Sequence, residues 1–241
     1  MDQQIYQIAL IVTAIINILM AGLLLRGSYH YHKYPDYLRT RMLTSLWMAV
    51  FGLGYLVHGF FQWRDVWPTA ASALTVSYFH IGAICFCWGY IPLLDPTYLT
   101  QKKKVRDLIY FAVGLGIYWT VPLLWKHAPL FTLFSYFLFF LYAVYVAITF
   151  YRTYNKVSYR LIHLQVGNMT DFVRWMQMCC DLIVLFGISS VAITAMFPTS
   201  FWPYTLLLCA GVGMFAYMAY SVNKYGKVVE KATNILHQRR H

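Results

Sequence analysis

Residues 77–106 read SYFHIGAICFCWGYIPLLDPTYLTQKKKVR. No Asp, Glu, Lys or Arg occurs up to Leu94; then Asp95-Pro96 breaks the run, and Lys102, Lys103, Lys104 and Arg106 follow at once. An apolar run that stops in clustered cations is the pattern of a helix that crosses about 30 Å of hydrocarbon and emerges on the cation-rich side of a membrane.

The rest of the chain repeats the pattern. Of 241 residues, 60% are hydrophobic and only 11% charged, against about 25% charged in a soluble domain. Apolar stretches predict seven spans, at about 5–25, 41–62, 70–94, 106–125, 129–151, 176–197 and 202–222. The fold class expected is therefore an all-α polytopic membrane protein: a seven-helix domain over 1–222 and a basic amphipathic cytoplasmic tail helix over 223–241.

The distribution of Lys and Arg tests this segmentation. Arg26, Lys33, Arg39 and Arg41 follow the first span; Lys102, Lys103, Lys104 and Arg106 follow the third. Arg152, Lys156, Arg160 and Arg174 follow the fifth, and Lys224, Lys227, Lys231, Arg239 and Arg240 follow the seventh. Only Arg64 and Lys126 fall in the alternate loops. By the positive-inside rule the amino terminus lies outside and the carboxyl terminus in the cytoplasm, as expected of a multi-pass protein of the cell (inner) membrane.

The net charge of +11 needs no nucleic acid to explain it, because cations of this kind lie against anionic inner-leaflet lipid. Lys102, Lys103 and Lys104 are the candidate lipid head-group contact. The start, Met1-Asp2-Gln3-Gln4, lacks the basic region of a signal peptide, so the first span reads as retained. Cys85, Cys87, Cys179, Cys180 and Cys209 all fall in or beside spans and form no exported disulfide framework.

The outer loops, about 63–69, 126–128 and 198–201, are short, and Trp63, Trp67, Trp125 and Trp202 mark an interfacial belt there. The longest inner loop, 152–175, predicts a short interfacial helix, a stop at Gly167-Asn168, and a cap from Thr170 or Asp171. In the tail, Val229, Ala232 and Leu236 form an apolar stripe. Such a tail lies on the membrane, pairs with a partner, or extends the seventh helix rigidly.

Missing residues exclude several chemistries. The seventh span has no lysine for a retinal Schiff base, and Glu230 is the sole glutamate, which rules out His-Glu-x-x-His. The third span ends Leu94-Asp95-Pro96-Thr97 rather than Asp-Arg-Tyr, and the seventh offers Ala219-Tyr220-Ser221-Val222-Asn223-Lys224-Tyr225 rather than Asn-Pro-x-x-Tyr. No catalytic residue set and no metal set is recognisable.

Ionisable groups at membrane depth are costly and mark function by default. His58, His80 and Asp181 are the three read here. A rise of 1.5 Å per residue puts His58 about 6 Å and His80 about 15 Å below the outer boundary. That offset weighs against a haem held by both imidazoles, which stays open as an alternative cofactor reading. Cys85 and Cys87, two residues apart on a helix, face opposite ways and read as inert thiols.

His58, Gln62, Ser77 and His80, with Tyr118 and Trp119, therefore compose the candidate ligand-binding set: a polar pocket open to the outside. Interhelical hydrogen bonding is the competing reading. Asp181, with Arg174 two turns before it, is the candidate ion pair or proton path.

In architecture the chain resembles the multi-helix membrane modules that precede AraC-type DNA-binding domains in Bacteroidetes regulators. The features concerned are a retained first helix, Tyr- and Phe-rich spans, and a seventh helix running through Tyr220-Ser221-Val222-Asn223-Lys224-Tyr225 into a tail. The resemblance implies a sensor or receptor for a small or lipophilic ligand. It signals through a cytoplasmic partner or a homo-oligomer, or through an output domain outside this chain, and does not itself touch nucleic acid. A small-solute or ion transporter is the alternative, and a haem- or lipid-handling protein the next.

Overall fold

The computed structural model describes residues 2–124, 136–163, 169–197 and 200–238. Seven long helices carry the fold: α1 (Asp2–Arg26), α2 (Pro35–Phe61), α3 (Pro68–Leu94), α4 (Gln101–Leu124), α5 (Phe137–His163), α6 (Met169–Met196) and α7 (Phe201–Gln238). A short 3-10 segment, Gly27–Tyr31, follows α1, and a single turn, Trp63–Val66, links α2 to α3. No strand occurs among the described residues. Among the described residues, six of the helices (α1, α2, α3, α5, α6 and α7) are long and apolar enough to cross a membrane.

Pro35 and Pro68 sit in the first turns of α2 and α3, where their missing N–H costs nothing. Below α3, the Thr97 hydroxyl and amide donate to Asp95 Oδ1 at 2.6 and 3.1 Å. Those bonds hold the Asp95 carboxyl below its usual range.

One element differs from the sequence reading. Residues 152–163 form no separate interfacial helix but continue α5 unbroken. Neither Gly nor Pro interrupts 137–163, and Phe150 stacks on Tyr154 one turn on. The tail continues α7 as one helix to Gln238, the last of the three arrangements its sequence allows. Trp125, Lys126, Gly167-Asn168 and the side chains of Thr170, Asp171, Ala232 and Leu236 lie outside the described residues.

α2 lies between α1 and α3, and α7 closes on α1, α2 and α6; α4 and α5 pack on α3. The close approaches follow from small residues one heptad apart. On α2, Ser45 donates to the Ala21 carbonyl at 2.7 Å; a Cβ at Gly52 would lie 3.0 Å from the Ala14 carbonyl, and one at Gly59 3.2 Å from Ile11. Residues 45, 52 and 59 share one face, so α1 seats directly on the α2 backbone. Gly82 and Gly89 do the same on α3, against Trp47 and Thr40 of α2. Such stripes drive helix association in lipid, where burial of apolar surface between helices contributes little.

The outer surface is inverted relative to a soluble bundle. α1 buries Thr13 and Asn17 and exposes Ile8, Val12, Ile15, Leu19 and Leu23. Four cysteines are buried, and Cys209 alone is exposed, on the apolar perimeter of α7. In native membranes a lipid-soluble maleimide is expected to modify Cys209 alone and a membrane-impermeant one none, read by intact mass. Labelling of Cys85, Cys87, Cys179 or Cys180 in the folded protein would contradict this packing.

Candidate functional site

At the end of the bundle where α1 begins, α1, α2, α3, α6 and α7 enclose a cavity of about 30 Å³, room for about two waters. Tyr6, Tyr55, His58, Arg64, Thr75, Tyr78, Ser190 and Tyr204 supply its polar lining. Arg64 covers it from the Trp63–Val66 turn: its guanidinium lies 3.9 Å over the Tyr204 ring, a cation–π contact, and its Nε donates to the Tyr6 hydroxyl at 3.1 Å. The neighbouring carboxylate, Asp65, accepts instead from the Gln3 amide at 3.0 Å.

His58 is 3% exposed, and its Nε2 lies 3.2 Å from Thr75 Oγ1. Thr75 has a single hydroxyl hydrogen, which goes to the Ala71 carbonyl at 2.8 Å, while the Tyr78 hydroxyl donates to Thr75 Oγ1. Thr75 therefore accepts from His58, which fixes the Nε2–H tautomer. Nδ1 is left as a buried lone pair without a partner, and the buried Tyr204 hydroxyl is also unpartnered.

Gln62 lines a smaller recess of about 10 Å³ above, together with Gln3, Gln7, His58 and Arg64. Its backbone is left-handed, φ 51°, the one such non-glycine among the described residues, and a β-carbon there costs about 1–2 kcal/mol. Gln62→Gly is expected to raise stability by up to about 1 kcal/mol in thermal unfolding. A loss instead would mean that the amide holds the mouth together.

The structure divides the six candidate ligand residues. His58 and Gln62 belong to this upper site; Ser77, His80, Tyr118 and Trp119 form a seam between α3 and α4. There the Trp119 indole donates to Ser77 Oγ at 3.2 Å, and His80 Nδ1 lies 3.0 Å from the Tyr118 hydroxyl. His80 is fully buried within a cage of Phe111, Tyr118, Phe139 and Tyr142 rings. The two imidazoles face different helices, so this packing does not bring them onto one iron.

Asp181 is exposed on α6 and accepts from the Tyr151 hydroxyl of α5. The ion pairs among the described residues are Arg39–Asp36 and Arg106–Asp107, and neither involves Asp181 or Arg174. Lys102 is exposed at the start of α4, whereas Lys103 lies 3.7 Å over the Tyr98 ring. Lys104 is half-buried.

Two buried charges escape the sequence reading. Arg41, 2% exposed, donates from Nε to the Leu24 carbonyl at 2.7 Å, and from Nη1 to the Tyr37 hydroxyl at 3.0 Å and Asn223 Oδ1 at 2.6 Å. Tyr37 in turn donates to the Val222 carbonyl at 2.9 Å. This clamp ties α1, α2 and α7 together at the lower end. Asp107, fully buried on α4, accepts from the Trp88 indole at 2.8 Å and pairs with Arg106 at 2.6 Å. The signals were present: Arg41 opens an apolar span, Asp107 follows a cation, and Arg64 is one of two cations on the sparsely charged side.

No family model, no curated protein and no solved structure matches this chain.

Proposed function

We propose that this chain is a seven-helix sensor of the cell (inner) membrane, with its amino terminus outside and its carboxyl terminus in the cytoplasm, and that the Arg64-covered cavity receives a small ligand from outside. The continuity of α7 carries the reading. One unbroken helix places Tyr204 against the cavity, Val222 and Asn223 in the Arg41 clamp, and 224–238 beyond it. At 1.5 Å per residue that last part extends about 22 Å. A displacement of α7 at Tyr204 is thereby delivered to a basic helix in the cytoplasm, where a partner or a second copy reads it.

The floor of the cavity supports a sensor over a transporter. Below Tyr55 and Tyr78, the Phe51 ring meets Tyr78, Phe79, Phe215 and Trp47, most edge to face at centroid distances of 4.7 to 6.0 Å. A transport path needs polar groups in series through that layer, and Phe51, Phe79 and Phe215 close its centre with apolar rings. α4 takes the seventh crossing, because it packs on α3 and starts in the basic cluster that follows α3.

In lipid nanodiscs, spin labels at residues 228 and 39 are expected to report a distance change when ligand occupies the cavity. Proteoliposomes are expected to show no solute flux. Flux abolished by a bulky residue at Gly52 or Gly59 would favour the transporter instead.

A further inference from the structure

We infer that the cavity beneath Arg64 is a site for a single carboxylate group. This rests on the reading of that cavity as a ligand pocket and names its chemistry.

Arg64 has five N–H donors, of which Nε–H goes to Tyr6. Neither ion pair among the described residues includes it, and Asp65 is turned to Gln3. The guanidinium fork thus stands over a cavity without an anion of its own. Beside it, the Tyr204 hydroxyl, 5% exposed, has no acceptor. Two forked N–H groups and one O–H are the donor set that a carboxylate satisfies with both oxygens.

His58 decides between anions. With Nε2–H committed to Thr75, it presents an unpartnered lone pair, which repels a second negative oxygen and welcomes a donor. A phosphate or sulfate dianion would meet that lone pair, one guanidinium only, and Asp65 close by. A monocarboxylate with a neighbouring hydroxyl satisfies all three groups at once. About 30 Å³ matches a carboxylate head rather than a whole larger ligand, and Leu10, Phe79, Leu207 and Leu208 supply apolar walls for a short carbon chain.

The carboxylate reaches the site either as a small solute from outside or as the head of a fatty acid from the outer leaflet. Full-length protein in fatty-acid-free nanodiscs is titrated with acetate, glycolate and acetamide, and in parallel arms with oleate in the lipid. Saturable binding of acetate and tighter binding of glycolate, with none of acetamide, is expected and marks a soluble ligand. Binding of oleate alone supports the site and assigns the ligand to the lipid phase.

Arg64→Gln is expected to weaken binding at least about tenfold, as loss of a charge-assisted hydrogen bond does. Tyr204→Phe is expected to weaken it less. Both variants are checked for an unchanged melting curve, and Arg64→Lys, which keeps the charge but loses the fork, provides an intermediate affinity. Absence of saturable carboxylate binding, or equal affinity in wild type and Arg64→Gln, overturns the inference. The 228-to-39 distance is read on the same samples. Carboxylate binding without a distance change sinks the sensor reading and leaves the site standing, whereas a change driven by acetamide but not by carboxylates does the reverse.

Discussion

Arg41→Ala is expected to lower the unfolding free energy by about 3 kcal/mol or more, because it removes hydrogen bonds from a charged donor to two buried acceptors, worth about 1.5–3 kcal/mol each. The buried acceptors are the Leu24 carbonyl and the Tyr37 hydroxyl; the third, Asn223 Oδ1, is on an exposed residue and adds less. Arg41 has no carboxylate partner among the described residues, so its charge is compensated otherwise. Leu24 is among the last carbonyls of α1, where the helix dipole is negative, and the Tyr31 ring lies 5.3 Å from the guanidinium carbon.

Unfolding titrated with SDS in mixed micelles measures the loss. The expected order of stability is wild type, then Arg41→Lys, Arg41→Met and Arg41→Ala. Lysine keeps the charge but not the divergent donors, and methionine keeps only the volume. A loss under about 1 kcal/mol for alanine would show that Arg41 acts only as a topogenic cation.

Gly82→Val is the second large effect, with an expected loss of about 3 kcal/mol from overpacking. A Cβ at this position would overlap the Trp47 indole, lying 2.6 Å from Cε2. That indole is 2% exposed and packs edge-on against Phe215 at 5.4 Å, so it cannot swing aside without opening the floor of the cavity. Trp47→Phe shortens the ring where Gly82 touches it. The double variant is therefore expected to lose less than the sum of the two singles, since contacting residues couple. Additive losses would mean that the strain is relieved by separating α2 from α3 rather than by moving Trp47.

Much of the candidate site was hidden from the sequence for a definite reason. His58 and Gln62 were found because a polar group inside an apolar span is conspicuous in one dimension. Tyr6 and Tyr204 were not, because the chain has 21 tyrosines and nothing local distinguishes the two that converge on Arg64. His80, more conspicuous than either, lies in the α3–α4 seam, since five residues beyond Thr75 on the same helix is over a turn away and turned toward other neighbours. Arg41 and Asp107 were counted as boundary charges, because a span edge read from hydropathy is uncertain by about the turn that decides whether such a group is solvated or clamped.

The sequence by itself determined the class of fold: an all-α chain of long helical segments, most of them apolar enough to cross a membrane. Those follow from hydropathy, helical rise and charge, which are local or additive along the chain. Tertiary structure alone decided which polar groups meet, that α5 runs on past its apolar stretch, which of the tail's arrangements α7 takes, and that Arg64 rather than His80 stands over the cavity. Such juxtapositions depend on how small residues at 45, 52, 59, 82 and 89 let the helices approach, and on the rotation each helix then takes. That geometry emerges only when the helices are packed.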